Sequence, residues 1–286
     1  MATFIGRDEE LGEVMNKYIK SDVIVIHGLK AIGKSSIARR FCDLVDCKSI
    51  WVDLKNVVNC EGLLKALGRH FLYEAFTNES LDEMLVILTE NIAYRKASYL
   101  IIFDNAEDIF NESQFEFANH IIESLARTKY IKILVTSITC LSMWRENFED
   151  FHLRPMCHQD SVKLFRYVCP SLIEATKIGK IVELCEGIPL ALILSGAEIA
   201  DDSNPLDADD IIELLSRSRL RILSSEYYVQ DERVDSMYKG FLDRLSATLK
   251  EHLAVINYIP GSFNEEEVTE ILGIYSNTYL SPLFIK

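Results

Sequence analysis

The sequence predicts an α/β fold, a parallel sheet covered on both faces by helices, followed by a helical domain. Three observations carry this. Short β-branched runs alternate with helical periodicities as far as about residue 155. The first run ends in a glycine-bounded loop that opens a helix. Beyond residue 155 the strand signals stop while helical spacing continues. The 286 residues suffice for two or three packed domains. A hydrophobic content of 49% with 26% charged residues suits a folded chain rather than a disordered one.

Taken in order, residues 7–19 place Leu11, Val14, Met15 and Tyr18 at helical spacing, behind the acids Asp8, Glu9 and Glu10 that suit a helix N-terminus. Val23-Ile24-Val25-Ile26 reads as a strand buried on both faces and runs into His27 and Gly28. Residues 35–45 follow as a helix with Ile37, Phe41 and Leu44 facing inward. A second strand at 49–54 precedes helices at 60–71 and 81–94. A third strand at 99–103 precedes a helix at 114–126, and a fourth spans 132–136. A short fifth is placed at 151–153. Helical spacing then marks 159–169, 171–185, 189–200 and 208–215, with a polar break at 201–205. Further helical segments are expected around Met237–Leu245 positions, at 248–258 and at 264–272, and the apolar end Leu283-Phe284-Ile285-Lys286 reads as a domain left unfinished.

Charge narrows the partners. Thirty basic against 44 acidic residues gives −14, and a net acidic surface repels phosphate backbones, so neither DNA, RNA nor an anionic membrane is expected as the main partner. The seven cysteines form no CxxC pair and their number is odd, which points to a reduced, cytoplasmic setting. No apolar leader opens the sequence, and the apolar stretch 187–200 is too short to span a bilayer.

The chemistry centres on Gly28-Leu29-Lys30-Ala31-Ile32-Gly33-Lys34-Ser35, which matches G-x-x-x-x-G-K-[ST] without a gap. Each fixed position has a physical reason. Gly28 lets the chain leave the strand sharply. Gly33, with the backbone of Ile32, closes N–H groups around phosphates. Lys34 sets a point charge by the β- and γ-phosphates, Ser35 offers a hydroxyl to Mg²⁺, and the following helix turns its N-terminus to the anion. A chance match in a chain of this length is on the order of one per cent. Asp104, ending the run Leu100-Ile101-Ile102-Phe103, stands where such folds hold a carboxylate for Mg²⁺; a helix-capping aspartate is the plainer alternative. Glu107 is the candidate for orienting or deprotonating water, since Asn105 cannot act as a base. His27 reads as a core residue. Cys140, Cys157, His152 and His158 lack zinc spacing and read as structural. Lys30, inside the loop, and Arg39, just after it, lie close in sequence to the expected phosphates, with a solvent-facing side chain as the plainer alternative for each.

Three further segments point to one family. Phe4-Ile5-Gly6-Arg7-Asp8-Glu9-Glu10-Leu11 precedes the first strand, Lys132-Ile133-Leu134-Val135-Thr136-Ser137 forms the fourth, and Glu186-Gly187-Ile188-Pro189-Leu190-Ala191-Leu192 lies in the helical region. With the loop and Asp104, in this order, the sequence resembles the NB-ARC branch of the STAND NTPases, which includes apoptosome and plant resistance-protein switches. The resemblance spans nearly the whole chain. It implies an N-terminal adenine-side helix and linker (1–20), a P-loop nucleotide-binding α/β domain (21–155), a helical domain (156–218) and an incomplete winged-helix domain (219–286), holding ATP or ADP with Mg²⁺. By the same resemblance Ile5 and Arg7 line the adenine, Pro189 packs on the base, Ser36 reaches the α-phosphate, and Thr136 or Ser137 lies near the γ-phosphate.

Two departures stand out. Ile138 occupies a place where family members often carry an arginine, and Asn105 replaces a second acid; both count against fast hydrolysis more than against binding. The implied function is an ATP/ADP-binding regulatory switch in signalling of the apoptosis or innate-immunity kind. ATP favours self-association, an unknown protein effector receives the signal, and hydrolysis by a Mg-dependent ATPase is slow at most. The chain reads as a fragment or a minimal member. The rival readings are an active AAA-like ATPase, and an interaction scaffold with a vestigial loop.

Overall fold

The computed structural model describes residues 4–55, 57, 59–110, 113–141, 148–200 and 206–220, together with four single positions, 239, 250, 251 and 254. The helical segments expected past residue 220, and the winged-helix region with them, lie otherwise outside the described residues. By internal contacts the chain divides into two units. One takes Asp8–Gly28 and Lys34–Leu153; the other takes residues 4–7, Leu29–Gly33 and the described residues from Arg154 on.

The first unit is the sheet unit. Helix α1 (Asp8–Lys20) leads into β1 (Val23–His27), α2 (Lys34–Cys42), β2 (Lys48–Asp53), α3 (Cys60–Phe71), α4 (Leu81–Tyr94), β3 (Tyr99–Asp104), α5 (Phe115–Arg127), β4 (Ile131–Ser137) and β5 (Phe148–His152). Every strand pairing is parallel, in the order β2-β3-β4-β1-β5. This is the P-loop NTPase fold.

The local causes are plain. In α1 the acids Asp8, Glu9 and Glu10 sit at the N-terminal end and Lys17 and Lys20 at the C-terminal end, both favourable to the helix dipole. Helix α4 starts at a reciprocal capping box between Ser80 and Glu83. Strand β3 is buried along its whole length, as a central strand covered on both faces must be. The core beneath it gathers Phe103, Ile101 and Val135 from the sheet with Leu64, Leu67, Leu88 and Ile122 from the helices.

Several boundaries differ from those expected. Helix α2 ends at Cys42, so Leu44 is 48% exposed rather than inward, while Ile37 and Phe41 are buried. The fifth strand begins at Phe148, three residues before the expected position, because its pairing with β1 extends over all five residues.

The second unit is helical: α6 (His158–Val168), α7 (Ala175–Leu184), α8 (Pro189–Ala200) and α9 (Ala208–Leu220). Helix α7 starts four residues later than its periodicity suggests, and α9 runs five residues longer. Phe165, Ile181, Leu192 and Ile211, one from each helix, are buried in a shared core. The turn before α8 requires its glycine. Gly187 has φ +71°, and a Cβ there would come within 2.5 Å of the Met156 carbonyl oxygen. Among the described residues no helix is long and apolar enough to cross a membrane.

Candidate nucleotide-binding site

In the sheet unit the site is built at the carboxyl ends of adjacent strands. The strand order sets β4 between β1, from which the loop departs, and β3, which ends at Asp104. A residue at the end of β4 therefore lies beside Asp104, and Thr136 occupies that place. Thr136 is fully buried, and its hydroxyl donates to Asp104 Oδ1 while accepting the Asn105 N–H at 3.0 Å. Ser35, at the start of α2, donates its hydroxyl to the same Oδ1 at 2.8 Å. One carboxylate oxygen thus gathers hydroxyls from α2 and β4.

Asp104 is only 4% exposed. Burial pushes its carboxyl above the usual carboxylate range. The bonds from Thr136 and Ser35 pull it back down, the Asp53 carboxylate raises it further, and the Arg39 guanidinium lowers it. Asp53 lies opposite Asp104 in the β2–β3 register and accepts from Asn105 Nδ2 at 3.1 Å, an arrangement helped by the left-handed backbone of Asn105 at φ +60°. Arg39 lies over the Trp51 ring, 4.6 Å from its centroid. The set of buried carboxylate and hydroxyl oxygens is a hard-oxygen donor set of the kind that Mg²⁺ takes.

Gly28 leaves β1 at φ +148°, and a Cβ there would meet the Leu153 carbonyl oxygen at 2.6 Å, so only glycine fits. Lys34, on the far side of the loop, donates its ammonium to the Gly28 carbonyl at 2.9 Å. Ser36 is exposed on the first turn of α2, and Ser137 is fully buried at the end of β4. Glu107 follows Asp104 by three residues; its Oε2 is buried and finds no hydrogen-bond partner among the described residues.

In the helical unit, Ile32 is fully buried and Ala31, with φ +59°, packs against the helical core. Gly33 has φ +95°, and a Cβ there would lie 3.8 Å from Pro189 Cγ. Arg7 is 4% exposed with φ +66°, and among the bonds that hold it, its backbone N–H donates to Asp160 at 3.1 Å, and its guanidinium donates to the Arg154 carbonyl at 2.6 Å and the Ile32 carbonyl at 3.1 Å. Ile5 is half-buried beside it in sequence.

The sequence reading missed Asp53 and the bridging role of Thr136, since both depend on which strands are neighbours. It also took Cys140, Cys157, His152 and His158 as structural, yet all four are exposed. His27, expected in the core, instead stacks on His152 with centroids 4.9 Å apart and lies 3.3 Å from Asp150 Oδ2.

Comparison with known proteins agrees with this geometry. Residues 20–138 match the AAA domain family. They form a P-loop NTPase domain. Proteins with this domain generally bind ATP or ADP with Mg²⁺. The fold is shared with a Signal Transduction ATPase with Numerous Domains (STAND) protein with a tetratricopeptide repeat sensor from Pyrococcus horikoshii, at 22% identity and TM-score 0.58, over 100% of this chain but 39% of that one. A Walker-type ATPase of Pyrococcus abyssi aligns at 17% identity and TM-score 0.57, over 94% of this chain and 88% of the other. The ORC1 protein of Aeropyrum pernix, solved in complex with DNA, aligns at 15% identity and TM-score 0.54, over 96% and 85%. At these identities the likeness is one of fold. No curated protein sequence matches the chain significantly.

Proposed function

We propose that this chain is the nucleotide-binding part of a STAND-type regulatory switch, exchanging ADP for ATP to move between a closed state and an open, self-associating one. The observation that carries the reading is the single oxygen of Asp104 shared by Ser35 and Thr136. A buried carboxylate whose proton affinity is raised by desolvation, and which among the described residues takes hydroxyls on that oxygen, is poised to accept a cation.

In this reading the backbone around Gly28, Ile32 and Gly33 takes the phosphates and Lys34 supplies positive charge. Ser35 and Asp104 hold Mg²⁺, and Ser36 reaches the α-phosphate. Ile5, Arg7 and Pro189 contact the base. The bound metal supplies charge neutralisation of the phosphates. Thr136 keeps Asp104 oriented through its donated bond and reports the γ-phosphate region through its place at the end of β4. The closed-to-open change needs a difference in nucleotide affinity between the two states. An unidentified protein effector reads the open state. The acidic balance of −14 argues against nucleic acid as the main partner, whatever the ORC1 likeness in fold.

Glu107 favours a second reading, an active ATPase, because its buried Oε2 has no hydrogen-bond partner among the described residues, and an unsatisfied buried acid calls for a role outside the fold. Turnover separates the two: a switch shows at most slow hydrolysis, whereas an active ATPase shows steady turnover that Glu107→Gln abolishes. For the primary reading the test is to denature the purified protein and identify released nucleotide, beside a Lys34→Ala control. Stoichiometric ADP, absent from Lys34→Ala, is expected. A protein that carries none and fails to bind added ATP or ADP refutes it.

A further inference from the structure

We propose that His27, Cys140 and Asp150 form a binding site for a single zinc-class divalent cation, separate from the Ser35–Asp104 pair. Three neighbouring strands deliver the ligands, from the end of β1, the middle of β5 and the segment after β4. β1 ends in His27, β5 carries Asp150, and Cys140 follows β4, the strand on the other side of β1. The register explains the meeting of residues so far apart in sequence. His27 pairs with Ser137 on β4 and with His152 on β5. Asp150 precedes His152 by two residues and therefore shares its face of the strand.

The donor atoms already stand close. His27 Nε2 is 3.3 Å from Asp150 Oδ2. One donor atom each from His27, Cys140 and Asp150 lie within 4.8 Å of one another. Around tetrahedral zinc, bonds of about 2.0–2.3 Å put ligand atoms roughly 3.3–3.6 Å apart. The His27–Asp150 edge is at that spacing, and the exposed Cys140 side chain needs to shift its sulfur by only about 1 Å. The His27 ring is held in plane by stacking on His152 at an interplanar angle of 6°. A ligand so oriented loses little freedom on binding.

The donor types choose the cation. Imidazole, thiol and carboxylate together suit zinc and its borderline relatives, whereas Mg²⁺ and Ca²⁺ take all-oxygen sets. On binding, the Cys140 thiol gives up its proton to solvent and the sulfur becomes the thiolate ligand. Burial, and next the Asp150 carboxylate, push that thiol up in the metal-free protein. A nearby cation reverses that pressure. Three protein ligands leave one position for water or for a further ligand. The site also has a structural consequence: it ties the end of β1, one residue before Gly28, to the edge strand β5.

The test uses the full chain, stripped with chelator and kept reduced with a non-thiol reductant. Zn²⁺ is titrated against a chromophoric chelator, and Co²⁺ absorption reports thiolate ligation. One high-affinity cation per chain is expected, with thiolate-to-cobalt absorption. Cys140→Ser and Asp150→Asn should each weaken binding by at least about 10-fold, since even supporting residues of metal sites cost that much. Cys157→Ser, another exposed cysteine, should leave binding unchanged. Both ligand variants replace exposed side chains, and metal-free melting at the wild-type temperature shows that they fold. Absence of stoichiometric binding in the wild type, or either ligand variant binding as tightly as wild type, overturns the site. No nucleotide enters the measurement, so its failure is separable from that of the switch.

Discussion

Thr136→Val tests the centre of the site with little change of shape. The hydroxyl it removes does two jobs: it donates to Asp104 Oδ1 and accepts from the Asn105 N–H at 3.0 Å. Thr136 is fully buried, so solvent cannot replace its bond to Asp104, while the bond from the half-buried Asn105 is only partly shielded. A hydrogen bond to a charged group contributes about 1.5–3 kcal/mol, and an orphaned buried donor costs about 1–3 kcal/mol. Asp104 keeps the Ser35 bond at 2.8 Å, which limits the loss. The expected destabilisation of the sheet unit is therefore about 2–4 kcal/mol. Native-state hydrogen exchange at the amides of β3, β4 and Asn105 measures it locally, which matters in a chain of two units that need not unfold together. Thr136→Ser keeps the hydroxyl and should recover most of the loss. A change below about 0.5 kcal/mol in Thr136→Val, the range of an indifferent surface substitution, would refute the bridging role.

Two further outcomes follow from the same geometry, besides those of Lys34→Ala. Burial raises the folded-state carboxyl of Asp104 above its unfolded value, so its contribution to stability is full below the ordinary carboxylate range and is lost as pH rises through the raised value. Asp104→Asn should flatten that part of the pH–stability curve, leave the metal-free protein at least as stable at neutral pH, and abolish Mg-dependent nucleotide binding; titration calorimetry beside melting curves checks both. Arg7→Met leaves the carbonyls of Arg154 and Ile32 without the guanidinium that serves them, and should cost the helical unit about 2–5 kcal/mol, read as faster proteolysis within α6–α9.

What was legible in the sequence was local. The loop from Gly28 to Ser35, the buried run before Asp104 and the helices at Cys60–Phe71, Leu81–Tyr94 and Pro189–Ala200 all declare themselves through spacing and composition within a few residues. Strand order has no such signature. Nothing near Thr136 says that β4 lies between β1 and β3, and without that the threonine is one more residue at a strand end. The same blindness hid His27, Cys140 and Asp150, which fail every spacing rule because the register, not the chain, brings them together. Leu44 misled for a different reason: helical spacing continues past Cys42, but the helix does not.

The two outer strands bear on how copies of this chain can meet. β5 is five residues long and carries Glu149 and Asp150, with Lys17 reaching across to Glu149 at 2.7 Å. β2, on the opposite border, begins with the exposed Lys48 and Ser49. Short borders studded with charge are poor templates for a foreign strand. The sheet is thus insulated against growing sideways into a fibre, since neither border offers a long, uncharged row of free backbone groups to a second copy.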